Sequence, residues 1–235
     1  QDGVSIVAVG FGGANEQTMR AIASAPSSDF AFFGASMDEV RQHFASDRLC
    51  ELAASPKAPP PPPSTPAPPG LPPSPPSPSP APPSPPACVV KLELVLVLDK
   101  SGSVRAEQSS LLAFAREMVS QFRLDATEGA RVGVVEFSSD AATLTPLTGS
   151  LSDVLTAIDG ASAAGGGTSV SDGLELGRAE VNRGARADVP RTILLLTDGV
   201  QTVDGNDDTA IAKAAAVKQD GVSIVAVGFG GANEQ

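Results

Sequence analysis

Val89 to Ser103 reads VVKLELVLVLDKSGS, and its first ten residues decide the class of fold. VVKLELVLVL is almost continuously apolar and β-branched, as a strand covered on both sheet faces should be; a strand with one face in water would alternate. The run stops at Asp99. Val104–Phe122 follows, with Leu111, Leu112, Phe114, Ala115, Met118, Val119 and Phe122 at helical spacing on one face. A buried strand, a polar turn and an amphipathic helix begin a parallel crossover, because parallel neighbours need a long connection between them.

The same alternation runs on in both directions. Arg131–Phe137 and Ala142–Leu147 read as shorter strands joined through Ser138, Ser139 and Asp140 as a hairpin. Leu151–Ile158 is a short helix ended by Asp159 and Gly160, and the glycines 165–167 break the chain before a helix at Ser169–Val181. Pro190 leads into a third buried strand, Thr192–Leu196, which ends in Thr197, Asp198 and Gly199. An alanine-rich helix at Thr209–Lys218 and a fourth buried strand at Val222–Val227 complete this half. In the opening segment, Val4–Val9 repeats that strand, Glu16–Ala23 is helical, Phe30–Phe33 is a strand and Asp38–Leu49 a helix. The expected fold class is α/β: a doubly wound, mostly parallel sheet with helices on both faces. Ligands of such sheets bind beyond the carboxyl ends of the strands, which is where Asp99 and Asp198 stand.

An internal repeat sets the domain boundaries. Gln1–Gln17 reads QDGVSIVAVGFGGANEQ, and Gln219–Gln235 is identical, which gives a period of 218 residues. The duplication is either natural tandem repetition or artificial; tandem repetition is the preferred reading. On that reading residues 1–52 are the C-terminal part of a preceding unit, 53–87 a linker, and 88–235 most of the next unit, short of its last strand and helices. Adding residues 18–52 to residues 88–235 makes a unit of 183 residues, an ordinary domain size.

The phase of the repeat also bears on the two cysteines. Cys88 precedes the first strand of a unit and Cys50 closes the last helix, so each is expected to bond the equivalent of the other in an adjacent repeat. A local Cys50–Cys88 pair, which requires the proline segment to double back, and free thiols are the alternatives. A bond tying a domain's ends together implies an oxidising, extracellular setting.

Composition excludes several functions. A net charge of −11 and a pI near 4.5 oppose nucleic-acid binding, which needs a basic face, and suit cation binding. No apolar run approaches the roughly 18 residues of a membrane span. Two cysteines and one histidine, His43, are too few for a Cys/His zinc framework, and His43 reads as a partly exposed helix residue. No general base is evident for a Ser-His-Asp or paired-carboxylate mechanism, so an enzyme is not expected.

Asp99-Lys100-Ser101-Gly102-Ser103 places a carboxylate and two hydroxyls at alternate positions of a strand-to-helix turn, where they can converge on one point. Thr168, after the glycine run, adds a hydroxyl and Asp198 a second carboxylate. Few charges and several neutral oxygens suit Mg²⁺ (or Mn²⁺ or Ca²⁺), with a coordination position left open for an acidic ligand. An Asp-x-Ser-x-Ser turn alone reads equally well as a helix N-cap; the convergence with Thr168 and Asp198 favours metal. Asp204, Asp207 and Asp208 read as a solvated acidic loop in preference to a second cation site, and Asp172 and Glu175 as first-turn acids favouring the helix dipole.

DKSGS (99–103), GGGTSVSDG (165–173) and LLLTDG (194–199) together resemble the three loops of the metal-ion-dependent adhesion site in von Willebrand factor type A and integrin inserted domains. The resemblance covers residues 89–235 and, in the repeat reading, 1–50, and all five site positions match. It implies a Rossmann-like fold, direct metal contacts from Ser101, Ser103 and Thr168, and Asp99 and Asp198 binding directly or through water.

Nineteen of the 22 prolines lie between Pro56 and Pro86, which should form an extended polyproline II rod. Residues 55–87, at about 3.1 Å each, span on the order of 100 Å if straight. The Ser-Pro steps resemble plant and algal hydroxyproline-rich glycoproteins. That resemblance implies hydroxylation or O-glycosylation at Pro59, Pro60, Pro61, Pro62, Pro63, Pro72, Pro73, Ser74, Pro75, Pro76, Ser77, Pro78, Ser79, Pro80, Pro82, Pro83, Ser84, Pro85 and Pro86. An unmodified spacer or a ligand for proline-reading domains is the alternative. Asn15, Asn182, Asn206 and Asn233 lack the N-glycosylation pattern.

The expected function is that of an extracellular, repetitive adhesion or matrix protein at the cell surface, cell wall or matrix. Its metal would bind an acidic protein or glycan ligand, and its neighbours would be adjacent repeats or like subunits. The alternatives are a subunit of a glycosylated surface filament with a purely structural metal, and a metal-binding helper domain of an intracellular ATPase assembly.

Overall fold

A computed structural model describes residues 8–11, 15–25, 31–34, 88–161, 165–197 and 200–228. The expected helix at 38–49 with His43, and Cys50, the linker 53–87 with its candidate modification sites, Asp198 and Asn233 lie outside these residues.

The described chain runs β1 (Ala8–Phe11), α1 (Glu16–Ile22), β2 (Ala31–Gly34), β3 (Leu92–Asp99), a 3₁₀ turn (Ser103–Ala106), α2 (Gln108–Ser120), β4 (Ala130–Phe137) and β5 (Ala141–Thr148). It continues with α3 (Leu151–Gly160), α4 (Val170–Asn182), β6 (Arg191–Thr197), α5 (Asp207–Gln219) and β7 (Val222–Gly228). The strands form one seven-stranded sheet in the order β2-β1-β7-β6-β3-β4-β5. Every pairing is parallel except β4 with β5, which the short Ser138–Asp140 connection makes antiparallel. The fold is the expected α/β class, a sheet flanked by helices.

β3 is central and buried at all eight positions, as its unbroken apolar run requires. It begins at Leu92, three residues later than the composition suggests, because Cys88 bridges to Phe122 and Val89 is 64% exposed. The helix expected at 104–122 is divided: Ser103–Ala106 winds as a 3₁₀ turn, and the α-helical hydrogen bonding starts at Gln108. Pro146 is accommodated in β5 because that strand is the sheet edge.

α4 lies close on the sheet because it meets it with glycines one turn apart. A Cβ at Gly173 would stand 2.8 Å from Phe137 Cδ1, and one at Gly177 2.8 Å from Val97 Cγ2. α2 buries Leu111, Phe114, Ala115, Met118 and Val119, the face read from the spacing.

At the opening end of β3, Glu93 is fully buried. Arg131 donates to it from Nε (2.8 Å) and Nη2 (2.5 Å), and Arg186 from its backbone N–H (3.0 Å) and Nε (2.8 Å). Arg186 also donates to the carbonyls of Leu92, Thr127 and Gly129, so one ion cluster ties the β3, β4 and post-α4 segments. Burial pushes the Glu93 pKa up, but the hydrogen bonds from Arg131 and Arg186 outweigh it and leave the pKa below its ordinary value.

A depressed folded-state pKa stabilises the fold at pH values above the unfolded-state pKa and is lost as pH falls through the folded one. The denaturation midpoint should therefore drop on acidification below the ordinary glutamate range. Glu93→Gln, which leaves both guanidinium groups without their buried anion, should cost roughly 3–5 kcal/mol at neutral pH and flatten that acid limb. Urea titrations of both proteins across the acid range check this; an unchanged acid limb in the variant would exclude Glu93 as its source.

Candidate metal centre

The run of β3 delivers Asp99 to the carboxyl edge of the sheet, 1% exposed. Its turn is fixed from several sides. Lys100 donates its N–H to the Phe137 carbonyl at the end of β4 (2.8 Å), and its ammonium pairs with Glu136 at 2.6 Å. Asp99 Oδ1 accepts the Ser101 N–H at 2.8 Å, and Thr197 Oγ1, at the end of β6, donates to Oδ2 at 2.6 Å. Ser101 is fully buried, and its Oγ lies 3.0 Å from that of Ser103. The structure thus brings Asp99, Ser101 and Ser103 together.

The glycine run forms the second loop. Gly165 and Gly166 have φ of +83° and +93°, a conformation that residues with a Cβ rarely adopt. The Gly165 N–H reaches the Lys100 carbonyl (3.2 Å), and the Gly102 N–H reaches the Gly166 carbonyl (3.2 Å), so this loop is bonded directly to the Asp99 turn. Gly167 donates to Ser139 Oγ (3.0 Å) and Ser169 to the Ser138 carbonyl (2.7 Å). Thr168 is 3% exposed; its N–H donates to Thr202 Oγ1 (2.7 Å), and its carbonyl accepts the Thr202 N–H (2.9 Å). Thr168 is thereby held to the third loop, and the glycines before it to the first.

The third loop leaves β6 at Thr197, and Asp198 and Gly199, next in sequence, lie outside the described residues. Beyond them, Val200 is 38% exposed, and Gln201 is buried with Nε2 donating to Ser171 Oγ (2.8 Å) and the Val203 carbonyl (2.7 Å). Ser171 returns its N–H to Gln201 Oε1 at 3.1 Å.

Sequence reading missed Thr197, Thr202 and Gln201, which hold the loops. Thr197 left a signal, a hydroxyl residue closing a strand of Ile and Leu. Asp207, read as part of a solvated acidic loop, accepts the Gln201 N–H at 3.0 Å and bonds to Asn15 and Thr18.

The surroundings are acidic. The Asp172 carboxyl is pushed up by burial, then by the charge of Asp204, with Glu175 and Asp140 adding and Ser169 opposing. Among the described residues no three His, Cys, Asp or Glu side chains gather as metal ligands, so the donors brought together are one carboxylate and neutral hydroxyls. Among them, too, no helix is long and apolar enough to cross a membrane.

The glycine loop leaves no room at Gly167, where a Cβ would stand 2.4 Å from Val203 Cγ1. Gly167→Ala should lower stability by roughly 1–3 kcal/mol. Adding Val203→Ala should recover part of that loss, giving a coupling in a double-mutant cycle of thermal midpoints; strictly additive effects would show that the loops do not press on each other there.

Known proteins share this architecture. The chain is 32% identical to mouse matrilin-4 over 152 residues, which is 61% of this chain and 24% of that protein. It is 29% identical to the mouse collagen alpha-4(VI) chain over 148 residues, 62% of this chain and 6% of the other. Among solved structures, proximal thread matrix protein 1 from the mussel byssus, with a zinc-occupied MIDAS motif, superposes with a TM-score of 0.54. That pair is 29% identical, over 62% of this chain and 37% of the other. Residues 93–235, more than half of the sequence, match the von Willebrand factor type A domain, and the chain belongs to that family.

Proposed function

We propose that this chain is a non-enzymatic adhesion module of an extracellular matrix, binding acidic ligands through Mg²⁺ (or Mn²⁺ or Ca²⁺) held by Asp99, Ser101, Ser103, Thr168 and Asp198. The observation that carries the reading is the pair of hydroxyls beside Asp99. Ligands at right angles on an octahedral ion, each at about 2.0–2.1 Å, stand roughly 2.9 Å apart. On a tetrahedral ion of similar bond length they stand about 3.3 Å apart. Ser101 Oγ and Ser103 Oγ are hydrogen-bonded to each other at 3.0 Å, a separation compatible with adjacent positions on an octahedral ion.

The neutral donors have a further consequence. Ser101, Ser103 and Thr168 bring no charge, so a dication at the site would keep affinity for an anion. When bound, the ion supplies an electrophilic position for a carboxylate or acidic sugar of the partner. The protein's part is to orient: Thr197 and the Ser101 N–H fix both oxygens of Asp99, and Thr202 fixes Thr168. Acidic neighbours such as Asp140, Asp172 and Asp204 would repel a free anion, which makes ligand capture depend on the cation. The likeness to a collagen chain, a matrilin and a thread matrix protein supports the matrix setting.

The 17-residue duplication favours a second reading, a surface filament in which the metal only stabilises each unit. The two separate in one experiment. Asp99→Ala should abolish Mg²⁺ or Mn²⁺ binding in calorimetry and chelator-sensitive attachment to an acidic matrix, with circular dichroism unchanged. Attachment that survives both the substitution and chelation would eliminate the adhesion reading, and a fall in melting temperature alone would support the filament. Thr197→Val, which touches Asp99 and not the proposed ion, should weaken metal affinity by roughly 10–100-fold.

A further inference from the structure

Arg105 stands in the 3₁₀ turn that Ser103 opens, with its side chain exposed. Val104, between the two, is fully buried and fixes the turn. Arg105 makes no ion pair or hydrogen bond through its guanidinium among the described residues. That sets it apart: every other described lysine and arginine except Arg123 is held by an acidic side chain or a carbonyl. Arg123, at the opening end of β3, lies within electrostatic reach of Asp125.

The free guanidinium lies across the glycine loop of the candidate metal centre. A Cβ at Gly165 would stand 2.8 Å from Arg105 Nη2 and, its chain neighbours aside, would meet no other atom within 4 Å. The space over Gly165 is therefore open except for this one cation. Gly165 and Gly166 are the residues bonded to Lys100 and Gly102, on either side of Ser101. Arg105 thus stands where the loop carrying Ser101 and Ser103 meets the loop leading to Thr168.

Its charge is opposite to that of the nearby acids. Asp204, Glu175 and Asp140 act on Asp172, and none of them pairs with Arg105. An arginine left unpaired beside such a rim presents a planar fork of donors that matches a carboxylate at two points.

We infer that Arg105 is a second anion contact of the adhesion site, and that the ligand is an acidic peptide with two neighbouring carboxylates, one for the ion and one for the guanidinium. The inference rests on the adhesion reading and names its ligand. A peptide suits the surroundings better than an acidic glycan. The sequence has neither Trp nor Tyr, and Phe114, Phe122 and Phe137 are buried, so among the described residues of this region no aromatic face is open to a sugar ring. An extended polyanion would also have to cross the acidic rim of a chain whose net charge is −11. A short peptide carries its two charges only where the ion and the arginine stand.

Calorimetry on the full chain in saturating Mn²⁺ tests this with synthetic glycine-alanine peptides that carry either one aspartate or two adjacent ones. The two-aspartate peptide should bind roughly three- to tenfold more tightly. Arg105→Gln should bring that ratio close to one, and Arg105→Lys should keep part of it. Arg123→Gln removes the same charge at the far edge of the sheet and should leave the ratio as it is. In spectra of the isotope-labelled chain, the two-aspartate peptide should shift one arginine Nε–H resonance, the one missing from Arg105→Gln. A wild-type ratio near one, or a ratio that survives Arg105→Gln, would overturn the inference, while binding of the one-aspartate peptide would still uphold the adhesion reading. If Mn²⁺ binds and neither peptide does, both fall. An oligogalacturonate that binds more tightly than the two-aspartate peptide, and loses that advantage in Arg105→Gln, would overturn the assignment to a peptide.

Discussion

The hydrogen bonds that hold the Asp99 carboxylate depend on where β3 ends. Eight consecutive buried positions force this strand into the middle of the sheet, so its last residue emerges between β4 and β6. There Asp99 pairs in register with Phe137, whose carbonyl takes the Lys100 N–H, and it reaches Thr197 at the end of β6. A carboxylate on an edge strand would have a neighbour on one side only. The interior position lets the ends of β4 and β6 and the glycine run all bond to the turn that Asp99 opens.

The two ends of β3 use carboxylates in opposite ways. Glu93 is enclosed by two guanidinium groups that also bind backbone carbonyls, an arrangement that serves to join segments. Asp99, six residues on, is oriented by a backbone N–H and a hydroxyl and stands among further hydroxyls. Six residues of strand span about 20 Å. That distance separates a tight ionic fastening at one edge of the sheet from the candidate metal centre at the other.

Much of this was legible in the sequence because burial leaves a direct signature. An unbroken apolar run specifies a central strand, and polar residues at its end specify a loop at the ligand-binding edge. The sequence also groups Asp99, Ser101, Ser103, Thr168 and Asp198 as one candidate constellation; the structure brings the first three together, places Thr168 on the adjoining loop, and Asp198 lies outside the described residues. What it concealed were contacts made by ordinary residues across long distances. Thr202 clamps Thr168 from a loop with no motif, and Gln201 binds Ser171 thirty residues away. The 3₁₀ turn at Ser103–Ala106 was equally hidden, because the apolar spacing of α2 continues smoothly back through Val104. The placement of β1, α1 and β2 was beyond sequence reading for another reason: repeats reveal that two segments are alike, not which surface each occupies.

The depth at which α4 lies connects the core to the loops. Thr168 lies next to Ser169, the N-cap of this helix, so its height above the sheet follows from how closely the helix approaches. Gly173 and Gly177 set that approach, and the side chains they meet are Phe137 and Val97. Phe137 is the residue whose carbonyl pins the Asp99 turn, and Val97 lies two residues before Asp99 on the same strand. The surfaces that position the second loop and the backbone that positions the first are thus the same few residues. Enlarging either glycine would press on Phe137 or Val97, and so disturb the approach of Thr168 and the backbone beside Asp99 together. Small residues in the helix interior, costly to a helix in isolation, here let α4 seat close on the sheet beside the strand that carries Asp99.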